Sequence, residues 1–167
     1  MNRSRERLLS ISYENKLSHL GSCLTALPII EEIYAQKKPE DKFILSSGHA
    51  GLALYVVLES LGLGDAEEML HRQGVHPDRP NAWQDFEAGV LNPIDCSTGS
   101  LGQGLPIALG MALADREKNV YCLISDGECA EGSIWEALRI AEEEKLTNLK
   151  IFVNVNGWSA YGAVDKG

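Results

Sequence analysis

The chain has 167 residues, enough for one domain with a sizeable core, and its 44% hydrophobic and 23% charged content is that of a globular protein, not a disordered or collagenous one. With 24 acidic residues against 15 lysines and arginines, the net charge is -9, which repels phosphate on average and argues against sequence-independent nucleic-acid binding. An anionic ligand would need a local answer, such as a metal ion or a helix N-terminus.

Residues 3–20 place Leu8, Leu9, Ile11, Leu17 and Leu20 in an imperfect stripe at helical spacing, which predicts a helix. H-L-G-S-C at residues 19–23 reads as a loop. A second helix is expected over residues 25–36, with Ile29, Ile30, Ile33 and Tyr34 on one side and Pro28 in its first turn. Residues 37–41 form a charged linker. Residues 43–45 form a short strand that runs into S-S-G-H, and residues 50–61 are apolar enough for a buried helix. Residues 74–95, with Pro77, Pro80, Pro93, Trp83 and Phe86 and no period, read as a long irregular loop of the kind that carries function.

From Ser97 the pattern becomes α/β. A glycine cluster precedes a helix over residues 105–118. V-Y-C-L-I-S at 120–125 and K-I-F-V-N-V at 150–155 are continuous apolar strands, as in a parallel sheet buried on both faces, and a helix over 133–145 separates them. The fold class is therefore α/β, a parallel sheet flanked by helices, with the whole chain as one domain. The longest apolar stretch, residues 105–114, is far short of the roughly 20 residues of a membrane span. The N-terminus lacks the apolar core of a signal peptide. Cys23, Cys96, Cys122 and Cys129 have neither C-x-x-C nor zinc spacing, which suits reduced thiols in a cytoplasmic protein.

Ligands of parallel sheets sit at the C-terminal strand ends. One such end carries S-D-G-E (Ser125 to Glu128), the other N-V-N-G-W (Asn154 to Trp158). The Asp126 carboxylate, the Asn156 amide oxygen and a nearby main-chain carbonyl are hard oxygens that suit Mg²⁺, and Gly127 permits close backbone approach to a diphosphate. Each residue also has a plainer reading: Asp126 as a cap for the following helix, Asn156 as a turn residue. His19 and His49 could likewise be surface histidines, and Glu131 and Glu136 a solvated helix face. Gly99, Gly102 and Gly104 have the wrong order for a dinucleotide loop.

Taken together, the motifs resemble those of transketolases. D-G-x-x-x-E-G-x-x-x-E-A from Asp126, followed by N-G thirty residues after the aspartate, is similar to the thiamine diphosphate motif, with Ser125 where the family usually has glycine. H-L-G-S-C-L-T at His19, S-S-G-H-A at Ser46 and S-T-G-S-L-G-Q-G-L-P-I-A-L-G-M-A-L-A at Ser97 resemble further family segments in the same order. The resemblance implies a thiamine-diphosphate-binding fold, with thiamine diphosphate and Mg²⁺ as cofactors. It implies transfer of a two-carbon ketol unit from a ketose phosphate to an aldose. Asp126, Asn156 and the carbonyl of Trp158 would hold the metal. His49, Gly99, Ser100, Leu101, Asp126, Gly127, Glu128 and Asn156 would contact the cofactor. His19, His49 and His76 would face the sugar, and Glu131 and Glu136 would join a network at a subunit interface. Against that resemblance, the family's pyrimidine-binding domain and the last strands of the usual diphosphate-binding domain are not expected within these residues, so either the chain is shortened or another chain completes the sheet. The expected partner is therefore a pyrimidine-binding subunit in an α₂β₂ heterotetramer, with no nucleic acid and no membrane. A related thiamine enzyme with a carrier-bound acceptor, and a non-catalytic scaffold subunit, are the alternatives.

Overall fold

The computed structural model describes residues 3–72, 94–159 and 162–164. Three parallel strands, β1 (Lys42–Leu45), β2 (Val120–Ser125) and β3 (Leu149–Asn154), form a sheet in the order β1-β2-β3. Phe43 pairs with Tyr121 and Leu45 with Leu123; Leu123 pairs in turn with Phe152, and Ser125 with Asn154.

Because side chains alternate across a strand, each strand divides its apolar residues between two cores. Phe43, Leu45, Tyr121 and Leu123 face one side, where α1 (Arg3–Glu14), α2 (Leu20–Gln36), α3 (Gly51–Ser60) and α4 (Ala66–Arg72) cover them. Ile44, Val120, Cys122 and Ile124 face the other side, under α5 (Gly104–Ala114) and α6 (Gly132–Glu143). The result is the expected α/β architecture of a parallel sheet between helical layers. In α3, every residue from Gly51 to Leu58 is buried, so its uniformly apolar sequence needs no polar face.

Three local expectations are corrected. The single helix over residues 3–20 ends at Glu14, because Lys16 and His19 take left-handed φ values of 52° and 64°. The side-chain amide of Asn15 donates to the carbonyl of Ile11, satisfying an end carbonyl there. The second helix begins at Leu20, so Gly21 to Cys23 belong to its first turn instead of a loop, and Pro28 lies inside it. Pro28 is on the exposed face, where water can serve the carbonyl one turn earlier that a proline cannot. The short helix α4 has no signature in the sequence. It is held by Arg7, whose guanidinium pairs with Glu59 at 3.0 Å and Glu67 at 3.2 Å, while Glu59 also accepts the N–H of Ala66. A two-stranded antiparallel hairpin, β4 (Trp158–Ser159) and β5 (Gly162–Ala163), follows the sheet.

The far end of the sheet is tied by two side chains: Asp41, before β1, accepts the N–H of Asn119, before β2, at 2.9 Å. The amide of Asn148 donates to the carbonyls of Ala112, Asp115 and Lys118, each at 3.0 Å, and so fixes the end of α5 beside the start of β3. Among the described residues, no helix is long and apolar enough to cross a membrane. The expected loop over residues 74–95, with His76, lies almost wholly outside the described residues.

Candidate functional site

Strands β2 and β3 run parallel and end side by side, so the turns that follow them meet. The N–H of Asp126 donates to the carbonyl of Asn154 at 3.1 Å, and Asp126 Oδ2 accepts the N–H of Gly157 at 2.7 Å. The carboxylate of one loop is thus fixed against the backbone of the other. Both plainer roles are also filled. Asp126 Oδ1 accepts the N–H of Gly127 at 3.0 Å, and Asn156 Oδ1 accepts the N–H of Trp158 at 2.9 Å. Neither use exhausts the oxygens, since a carboxylate has about four lone-pair sites and an amide oxygen two.

Above these turns lies a cleft of about 310 Å³. Asn156, Gly127 and Trp158 from the two strand ends line it, together with His19 and His49. Gly99 and Leu101 add the glycine-rich loop, and Ser22, Ser125 and Ser159 complete the lining. A Cβ on Gly127 would stand 3.4 Å from Ser159, in ordinary van der Waals contact across the gap between the two turns. The donor chemistry fits a magnesium diphosphate: hard oxygens with lone pairs to spare, beside a glycine that leaves the backbone accessible. Among the described residues, no three His, Cys, Asp or Glu side chains cluster to hold a metal by themselves. An ion here would therefore share one carboxylate with amide and main-chain oxygens and with the ligand.

The two histidine rings are 5.1 Å apart at 49°. His19 sits at the N-terminus of α2 and is exposed; His49 sits in the short turn Gly48–Ala50 after β1 and is half-buried. Burial, followed by the neighbouring His19, pushes the His49 pKa below its usual 6.5, while Glu128 pulls it partly back. His49 is thereby held as neutral imidazole, with one N–H to donate and one nitrogen to accept.

Below pH 6.5 an unfolded chain gains a proton at His49 that the folded chain resists, so folding weakens as the pH falls through that range. The thermal midpoint should decline from pH 6.5 towards 5, and His49→Asn should make that decline shallower. Equal slopes for the two proteins would place the titration elsewhere.

Three groups of expected site residues are not among those that line the cleft. Asp126 is 9% exposed and reaches the cleft through its bond to the lining residue Gly127. Glu131 and Glu136 are exposed, Glu131 just before α6 and Glu136 on it. Ser100 is exposed and does not line the cleft, although Gly99 and Leu101 on either side of it do. Glu128 is corrected in kind. Its side chain is 0% exposed and its oxygens are taken up by Ser46, Gly102 and Ser125, so it has no free oxygen surface to offer a ligand. Ser22, Ser125 and Ser159 line the cleft without being expected there as site residues. The only signal for Ser22 is its spacing of three from His19, which matters once a helix is known to start between them.

Residues 7–167 match the family model described as the transketolase thiamine diphosphate binding domain. The chain is 36% identical to human transketolase over 83% of its own length and 24% of that protein. It is 32% identical to one subunit of the apulose-4-phosphate transketolase of Phocaeicola vulgatus, over 98% of this chain and 62% of that protein. Its fold matches that of transketolase from Leishmania mexicana with a TM-score of 0.74 at 22% identity, over 96% of this chain and 27% of the other. The chain thus spans about a quarter of the length of the human and Leishmania proteins and under two thirds of the Phocaeicola one.

Proposed function

From the premise that this chain belongs to the transketolase family through its thiamine diphosphate binding domain, we propose that it forms the diphosphate-binding part of an enzyme dependent on thiamine diphosphate and Mg²⁺. The proposed reaction is transfer of a two-carbon ketol unit from a ketose phosphate to an aldose. The observation that carries this reading is the cleft itself, where Gly127 and Asn156 from two strand ends meet His19 and His49, with the Asp126 carboxylate bonded to the N–H groups of Gly127 and Gly157 beside it.

Asp126, Asn156 and the main-chain carbonyl of Trp158 would hold the ion. Gly127, Gly99 and Leu101 would border the cofactor. When bound, the cofactor supplies the electron sink that lets a C–C bond beside a carbonyl break, and Mg²⁺ offsets the diphosphate charge. The protein's own part is to bind, orient and handle protons. Neutral His49 can donate a hydrogen bond to an oxygen on which charge develops and can take or return a proton at neutral pH. His19, more exposed at the mouth, suits the sugar hydroxyls, and His76 would be a third such group. An acidic chain needs such placed donors and a cation, because its overall charge disfavours phosphorylated substrates.

The chain aligns over nearly its whole length with a protein named as one subunit of a transketolase, which supports a second polypeptide carrying the pyrimidine-binding part in an α₂β₂ assembly. Exposed Glu131 and Glu136, with Trp135 at 63% and Val155 at 71% exposure, suit a surface that such a partner covers. All four cysteines are unpaired, which suits the cytoplasm.

The metal-bridged site predicts that thiamine diphosphate binds the chain when Mg²⁺ is present and is released when the ion is chelated. Calorimetric titration with and without a chelator measures this. Equal affinity in both conditions would mean that no metal bridges the ligand to the chain.

A further inference from the structure

We propose that Glu128 is a positioning residue: its buried carboxylate fastens together the three loops that wall the cleft and sets their spacing for the diphosphate. This inference rests on the functional reading above and assigns Glu128 a part behind the cofactor instead of against it.

The carboxylate has no exposed surface and, among the described residues, no cation within hydrogen-bonding distance. It is met there by hydroxyl and main-chain dipoles. Oε1 accepts the hydroxyl of Ser46 at 2.5 Å and the main-chain N–H of Gly102 at 2.9 Å. Oε2 accepts the main-chain N–H of Ser125 at 2.8 Å and the Ser125 hydroxyl at 3.3 Å. Ser46 in turn accepts the N–H of Gly104 at 3.1 Å.

These partners come from three separate walls. Ser46 follows β1, three residues before His49. Gly102 follows Leu101 in the glycine-rich loop. Ser125 ends β2, immediately before Asp126. The loops are also packed too closely for side chains. A Cβ on Gly104 would collide with Ser46, one on Gly48 would stand 2.5 Å from the carbonyl of Thr98, and one on Gly102 would stand 2.6 Å from the hydroxyl of Ser133. A burial this costly for a carboxylate persists only where its hydrogen bonds are met, and here each of those bonds fixes a loop that touches the cleft.

The arrangement makes an isosteric test sharp. Each carboxylate oxygen receives a main-chain N–H, and a main-chain N–H cannot be reversed. Glu128→Gln must therefore set its NH₂ against either Gly102 or Ser125. Because the loops then separate, we expect about tenfold or more loss of affinity for thiamine diphosphate with Mg²⁺, measured where circular dichroism finds the variant folded. Amide hydrogen exchange should quicken at Gly102 or Ser125 while the other β2 amides stay protected. A merely structural role would lower the unfolding temperature but leave the affinity of the folded variant unchanged, and that result would overturn the proposal. So would wild-type exchange at both amides. If Glu128→Gln does not fold, Ser46→Ala decides the matter: it removes one donor and keeps the carboxylate. Faster exchange at Gly104 with weaker binding supports the role, and no change in either overturns it. Should the wild-type chain itself fail to bind thiamine diphosphate with Mg²⁺, the functional reading falls, and the exchange measurement still decides whether Glu128 holds the loops.

Discussion

In the assembled enzyme, His49→Ala should lower turnover by about 10²–10⁴-fold while changing cofactor affinity only a few-fold. The split follows from where the residue stands. His49 lies in the turn after β1, on a different element from Asp126 and Asn156, and its own backbone is anchored independently of its ring. The turn is fixed by main-chain bonds from Gly48 to Ser46 and from Ala50 to Ser47, so the substitution removes a ring without releasing the loop. The lost function is a neutral imidazole held in that form by burial and by His19. Steady-state kinetics beside a cofactor titration separate the two effects. Turnover near that of the wild type would place His49 among residues that only shape the cleft.

The second large effect is expected at Asp126. Asp126→Ala should abolish Mg²⁺-dependent binding of thiamine diphosphate while the protein remains folded. The substitution removes the one carboxylate in the donor set and no apolar core volume. It also frees the N–H groups of Gly127 and Gly157, both of which are partly exposed and can turn to water. Trp158→Phe should do far less, since the proposed ligand there is the main-chain carbonyl and the side chain is 68% exposed. Calorimetry on both variants, with circular dichroism as the control for folding, gives the comparison. Wild-type affinity in Asp126→Ala would move the metal elsewhere.

How far the sequence anticipates this structure depends on how local each signal is. Strands β2 and β3 are legible because a continuous apolar run has little choice but a strand. Yet only the central β2 is buried throughout; β3 is an edge strand of the described sheet with Lys150 and Val153 exposed, against the expected burial on both faces. Asp126 and Asn156 are legible for the same reason, since each follows a recognisable strand and the parallel pairing brings the two ends together. The start of α2 is not. Gly21 and Ser22 look like loop residues, and only the left-handed backbone at His19 reveals that the helix begins directly after it. Helix α4 is seven residues long and held by Arg7 from a distant part of the chain, so its own sequence says little.

Glu128 marks the boundary most clearly. An acidic residue two positions after Asp126 resembles another ligand when read along the chain. Its partners Ser46 and Gly102 lie 82 and 26 residues away, with no motif joining them. Only the folded chain turns that carboxylate inward, so a residue expected to contact the cofactor is bonded instead to Ser46, Gly102 and Ser125. The exposed carboxylates Glu131 and Glu136 illustrate the converse: their proposed role needs a second chain, and no periodicity within this one can express it.

The central claim is that this chain holds one end of the cofactor and performs ketol transfer only with a pyrimidine-binding polypeptide. The most direct measurement is a ketol-transfer assay with thiamine diphosphate, Mg²⁺, a ketose phosphate donor and an aldose acceptor. It is run on the purified chain alone and then with the candidate partner at increasing ratio. No transfer is expected from the chain alone, and activity should rise to a plateau at one partner per chain. Full activity from the chain alone, or none at any ratio with a partner that demonstrably binds it, would contradict the claim.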